Sequence, residues 1–139
     1  QSAMTRAVLS LIFLAQNRGE EALAQATREP HEAVRLWALS IIHHLAGRQA
    51  ASDEALRELI AKHAHDGAFQ VAQVYAARGE ADAAFEWLDR AVTWRDAGLT
   101  FLAVDPLLVP LHLDPRWERF LRRHGFQARP GHATPGPAG

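Results

Sequence analysis

Residues 66–94, DGAFQVAQVYAARGEADAAFEWLDRAVTW, decide the fold. Before Gly79 stand Phe69, Val71, Ala72 and Tyr75; after it stand Ala84, Phe85, Leu88, Ala91 and Val92. Both sets keep helical spacing, and neither shows a sustained two-residue alternation. The stretch therefore predicts a helix capped by Asp66 and running through Ala77, a turn at Gly79, and a second helix from Glu80 to Trp94.

The same pattern continues toward the N-terminus. Val34, Trp37, Ala38, Ile41 and Leu45 predict a helix over Pro30–Leu45, with Pro30 as its first residue and Gly47 at its end. Leu56, Leu59 and Ile60 predict another, capped by Ser52 or Asp53 and ending near His63. Ala22, Leu23 and Ala26 predict a short helix over Glu20–Glu29. Val8, Leu9, Leu11, Ile12, Phe13 and Leu14 predict one over Thr5–Asn17 that is covered on most sides. Gly19, Gly47 and Gly79 each fall between two such helices, at spacings of 28 and 32 residues. Helix–turn–helix units of this length are the mark of a solenoid, because one unit cannot bury its apolar face alone. Ser40 and Ala72 are the small residues expected where paired helices approach. Two Asp-Pro pairs, Asp105-Pro106 and Asp114-Pro115, each read as an N-cap carboxylate followed by proline in the first turn. The second opens a helix with Trp117, Phe120 and Leu121 on one face and Arg116, Arg119, Arg122 and Arg123 on the other, ended by Gly125.

Composition narrows the function. The 139 residues contain no cysteine, which excludes disulfides, thiol nucleophiles and cysteine zinc sites. Fifteen basic and 16 acidic side chains leave a net charge of −1, without the basic footprint of a nucleic-acid binder. That balance is uneven: residues 1–115 carry a net −5 and residues 116–139 a net +4. The basic end reads as complement to the C-terminal pole of a helix, or as a dock for an acidic surface. No apolar run is long enough to span a bilayer. Gln1-Ser2-Ala3-Met4 reads as the scar of a cleaved expression tag, and Gln127–Gly139 (QARPGHATPGPAG) as a flexible Pro/Gly-rich tail. The domain is accordingly expected over residues 5–126, with a capping segment over 97–126.

The units resemble the tetratricopeptide repeat, whose first helix reads W-x2-L-G-x2-Y and whose second reads A-x3-F. Residues 68–91 match best, with Ala68, Val71, Ala72 and Tyr75, then Ala84, Leu88 and Ala91. The preceding unit matches with Leu36, Leu39, Ser40 and His43, then Ala55 and Leu59, which requires about three extra residues in its turn. The first matches with Val8, Leu11, Ile12 and Ala15, then Ala22 and Ala26. From Arg28 to Phe126 the chain is also similar to the C-terminal tetratricopeptide region of multidomain bacterial transcriptional regulators, adenylate cyclases and protein kinases. There the Val104-Asp105-Pro106 and Asp114-Pro115-Arg116 stretches look like that group's closing segment. The resemblance implies an all-α, right-handed α-solenoid of about three helix pairs with a C-terminal capping helix.

It further implies a non-catalytic module of a bacterial regulator that binds a protein or peptide in a concave groove, in the cytoplasm, or in the periplasm if a membrane span precedes it. The groove positions carried over are Arg6, Leu9, Phe13 and Gln16 from the first unit, Val34, Trp37, Ile41 and His44 from the second, and Phe69, Gln73 and Ala76 from the third. The variant that grips a C-terminal carboxylate has Lys, Asn and Arg at such positions; Leu9, Phe13, Trp37 and Ile41 argue against that ligand. An apolar groove suits an amphipathic helix or apolar peptide. It can equally be covered by upstream repeats, by the closing segment, or by a second copy that pairs attached effector domains. Neither a metal nor a cofactor is expected: His43 and His44 diverge by about 100° on a helix, and His63-x-His65 beside Asp66 offers too few ligands for zinc. Glu54 and Glu58, and Glu86 and Asp89, read as solvated helix faces rather than catalytic pairs, and no phosphate-binding loop or nucleophile turn is present.

Overall fold

The computed structural model describes Ile12 and residues 16–126. Its elements are α1 (Gly19–Thr27), α2 (Glu32–Leu45), α3 (Gln49–His63), α4 (Ala68–Ala77), α5 (Ala81–Thr93), two 3-10 helices (Ala97–Val104 and Pro106–Leu111) and α6 (Pro115–His124). The protein is all-helical over the described residues. Most of the helix expected over Thr5–Asn17, the residues 1–4 and the tail 127–139 lie outside them.

Helices α2 and α3 form one hairpin, and α4 and α5 a second, and these are the most extensive helix contacts in the fold. Each hairpin turns on a glycine in the left-handed region, Gly47 at φ 80° and Gly79 at φ 77°. The Gly47 N–H donates to His44 O (3.0 Å) and the Arg48 N–H to His43 O (2.8 Å). At the second turn Gly79 donates to Ala76 O (3.0 Å) and Glu80 to Tyr75 O (2.9 Å). This paired pattern satisfies the last carbonyls of a helix and requires positive φ at the glycine.

The register of the two hairpins is the same, 32 residues apart, with no insertion. Ser40 and Ser52 are fully buried in the first, as Ala72 and Ala84 are in the second. The Ser52 hydroxyl donates to Ser40 O at 2.8 Å, so the helices meet at these small residues. Leu56 therefore corresponds to Leu88, and the three extra residues expected in the first turn are absent. The misplacement has one cause: α3 starts directly after the glycine turn, at Gln49, so Ser52 lies inside the helix rather than capping it. Three other boundaries shift. Pro30 precedes α2, which begins at Glu32 after His31. Asp66 is exposed, and Gly67 is the N-cap of α4. Gly19 opens α1 as its first residue.

A third helix ends with the same turn but without glycine. After α5 the Arg95 N–H donates to Val92 O (3.1 Å) and the Asp96 N–H to Ala91 O (2.9 Å). Arg95 is the one described non-glycine with positive φ, at 56°. Periodicity could not show this turn, because its signal residue is missing.

Ion pairs tie the hairpins together. Arg78, with a side chain only 8% exposed, binds Asp53 of α3 (2.6 Å) and Glu80 (2.8 Å). At the other end of the α2–α3 hairpin, Glu32 accepts from Lys62 (3.3 Å) and lies 2.8 Å from His63 Nε2. Helix α6 packs on α5: Phe120 lies on Phe85, with ring centroids 6.5 Å apart, and Arg116 reaches Asp82 at 2.7 Å. Asp114 caps α6 by accepting the Arg116 N–H at 2.9 Å, and Gly125 ends it.

Two measurements test these local devices. Replacing Arg95→Gly relieves the left-handed strain and should stabilise the protein by about 0.5–1 kcal/mol, read as a higher urea midpoint with unchanged slope. The Arg116 side chain and backbone N–H hold Asp114 down at about 2. A lowered carboxyl stabilises above its ordinary value of 3.8 and loses that effect as pH falls through about 2. Acid unfolding followed by helical circular dichroism should therefore show less pH dependence over that interval in Asp114→Asn than in the wild type.

Candidate functional site

The residues proposed to line a groove fall into three groups. Leu9 and Phe13 lie outside the described residues, as does Arg6. Gln16 is exposed. The others converge on α2 and α4, two helices in contact. Their burial, however, differs from that of an open groove.

On α4, Phe69, Gln73 and Ala76 are all buried. What covers them is the chain's own segment 97–111, whose second 3-10 helix packs extensively on α4. Gly98 sits on Phe69 so closely that a Cβ built there would lie 2.6 Å from Cδ2 and 2.9 Å from Cβ of the phenylalanine. Asp96 clamps the same spot: Oδ1 accepts the Gly98 N–H (2.8 Å) while Oδ2 accepts the Phe69 N–H (3.0 Å). One carboxylate thus caps both its own helix and the N-terminus of α4. Further along, the Gln73 amide donates to Asp105 Oδ2 at 2.5 Å, and Asp105 Oδ1 caps the second 3-10 helix by accepting the Leu107 N–H at 2.8 Å. Leu102, Leu107, Leu108 and Leu111 complete the cover from below, each at most 4% exposed. Phe69 and Gln73 are thus a floor already occupied, and the expectation that they face an external ligand is corrected: α4 is apolar on every side, and the segment 97–111 closes the side that α2, α3 and α5 leave bare.

On α2, Ile41 is fully buried and Trp37 is 9% exposed. His44 is half-buried, and its Nδ1 has no hydrogen-bond partner. Ile41 borders a hollow of about 150 Å³ with Ile12, Leu45, Ala77, Pro106, Leu107 and Pro110, where the cover meets α2. Trp37 borders a second hollow, also about 150 Å³, lined by Ala33, Val34, Leu59, Asp66, Gly67 and Gln70. Val34 is 45% exposed at its rim. The Trp37 Nε1 hydrogen is buried and has no acceptor among the described residues. This hollow between the first turn of α2 and the start of α4 is the open remnant of the expected groove.

The histidines are engaged individually. His43 Nδ1 is 3.1 Å from Arg48 Nε, His63 bonds Glu32, and His65 stacks on Trp94 with ring centroids 4.8 Å apart. Among the described residues no three His, Asp or Glu side chains are grouped to hold a metal ion. No helix among them is long and apolar enough to cross a membrane.

Asp96 and Gly98, which decide the cover, stand outside every helical pattern of the sequence. The available signal was an Asp two residues before a Gly, the composition of an Asx turn, directly after a helix. No protein-family model matches the chain, and neither a curated protein nor a solved structure matches it.

Gly98→Ala should destabilise the protein by about 1–3 kcal/mol, since the new methyl meets the root of the Phe69 side chain and cannot be relieved by a rotamer change. Urea denaturation measures it. A loss below a few tenths would mean that Gly98 does not rest on Phe69 as described.

Proposed function

We propose that this chain is a non-catalytic scaffold: a tetratricopeptide-like, right-handed solenoid that serves a bacterial regulatory protein by holding a peptide or protein segment. The observation that carries the reading is the hollow beside Trp37. It is apolar, bounded by the half-exposed Val34, and of a size for one aliphatic or aromatic side chain. An indole N–H with no acceptor among the described residues stands at its wall. Buried tryptophan beside an exposed apolar rim is the composition of a binding hot spot. The hairpin register, repeated after 32 residues, supports the solenoid part of the proposal, as does the capping helix α6 with its arginine-rich outer face.

Because Phe69 and Gln73 are covered, the ligand contacts proposed are fewer than the resemblance implies: Ala33, Val34, Trp37 and Gln70. Self-association is the competing use of the same surface. Val104, Val109 and Leu113, all more than half exposed, add apolar surface elsewhere that favours it.

A displayed peptide library panned against the protein tests the reading. Enrichment of sequences with a large apolar anchor is expected. Val34→Glu should remove that enrichment, by at least about tenfold, with the unfolding midpoint unchanged. Trp37→Ala is not a clean probe, because truncating a buried tryptophan costs about 3–5 kcal/mol of stability. Light scattering over a wide concentration range separates the rival: a dimer that Val34→Glu dissociates would assign the hollow to a second copy.

A further inference from the structure

Between Ala97 and Leu111 only one side chain can ionise, Asp105. It is 2% exposed. Its bonding partners are two neutral donors, the Leu107 N–H and the Gln73 amide. Gln73 is fully buried as well, and its Oε1 has no partner. Among the described residues, the centre of the contact between the cover and α4 is therefore a carboxyl group without a counter-charge, paired with an amide whose Oε1 has no partner. A neutral carboxyl is tolerated in such a place; an ionised one must give up hydration that two neutral hydrogen bonds do not replace.

The ionisable groups on the surrounding elements do not supply a counter-charge. Helix α4 carries Tyr75 and is followed by Arg78, which is committed to Asp53 and Glu80. Helix α2 carries Glu32, Arg35, His43 and His44; Glu32 is bound to Lys62 and His63, Arg35 to the Glu29 carbonyl, and His43 to Arg48. His112, just beyond the segment, stacks on Trp117 with centroids 4.4 Å apart. None of these forms a bond to Asp105.

We propose that the stretch around Asp105, residues 102–111, is a pH-released strap: with Asp105 protonated it lies on α4, and loss of that proton to solvent loosens it and uncovers Gln73, while the Asp96 and Gly98 contacts keep Phe69 covered. The inference rests on the geometry of the strap alone and holds whether or not the uncovered face takes a peptide. Burial, opposed by the bonds from Leu107 and Gln73, pushes the Asp105 carboxyl above its ordinary 3.8, which agrees with the proposal. The sign follows from proton linkage. The closed form has the raised value and the open form the ordinary one. Closure is therefore strongest below 3.8 and weakens as pH rises through the interval up to the raised value. Within that interval the open fraction grows about tenfold per pH unit, and outside it the fraction is level.

Amide hydrogen exchange of the full chain, read by mass spectrometry from about pH 4 to pH 8 and corrected for intrinsic rates, tests this. In the wild type, protection of 102–111 and of the α4 turn that carries Gln73 should fall together with rising pH, while α3 keeps its protection. In Asp105→Asn the cap on Leu107 persists, no charge can form, and protection should be independent of pH. The same fall in both proteins, or a level profile in the wild type, overturns the proposal. Carbon-13 titration of the Asp105 carboxyl in the wild type is independent of whether the variant folds. A midpoint well above 3.8 that coincides with the exchange transition supports the strap, and one at or below 3.8 overturns it.

Discussion

A helix that is apolar on all sides must be covered on all sides, and α4 sets this requirement for the whole molecule. Ala68, Phe69, Val71, Ala72, Gln73, Val74 and Ala76 are all buried along its ten residues. The close pairing with α5 satisfies one side, and α2 and α3 satisfy another. A single helical hairpin stacked on its neighbour leaves a third side open, the one that carries Phe69 and Gln73. In this protein the chain turns back after α5 and lays residues 97–111 across it. Burying four leucines of that segment is favourable by about 1.5–3 kcal/mol each as an upper figure. The cover is thus part of the core, and it fills the side of α4 that the helix hairpins leave bare.

That return depends on backbone devices rather than on apolar pattern. The chain leaves α5 through Arg95 in a left-handed conformation. Asp96 then captures two backbone N–H groups at once, one in its own segment and one in α4. Gly98 brings the backbone into contact with the Phe69 ring. Each of the three acts within four residues, and together they fix where the cover begins. Asp105 ties its middle to α4 through Gln73 and caps the second 3-10 helix. The same segment is therefore held at its start by satisfied groups and at its middle by a carboxyl whose charge the interior does not compensate. Stability is unequal along the cover, and motion is to be sought at its middle.

Much of the fold was legible. The i, i+3, i+4 spacing placed α2 to α6, and two glycines placed the hairpin turns. Asp114-Pro115 placed the last helix to the residue. Legibility failed wherever a polar residue had two physical uses. Ser52 has the side chain of a cap, but its hydroxyl instead reaches Ser40 O across a helix crossing, and assigning it to a cap displaced the register of a whole unit. Asp66 looked like a cap and is solvent-exposed. Arg95 looked like any surface arginine and makes a turn normally marked by glycine.

The candidate site shows the same division. The sequence determined that Trp37, Ile41 and Phe69 lie on the apolar faces of their helices, because helical periodicity is a local property; Gln73 entered only through the resemblance, as a groove position. Only the tertiary structure decided what those faces meet. Whether Phe69 looks onto a ligand or onto Gly98 depends on a contact between residues far apart in the chain, and no periodicity encodes it. The pattern of apolar residues states that a surface must be covered; the choice of cover is made by the turn after α5, where one strained arginine and one aspartate send the chain back over its own helix.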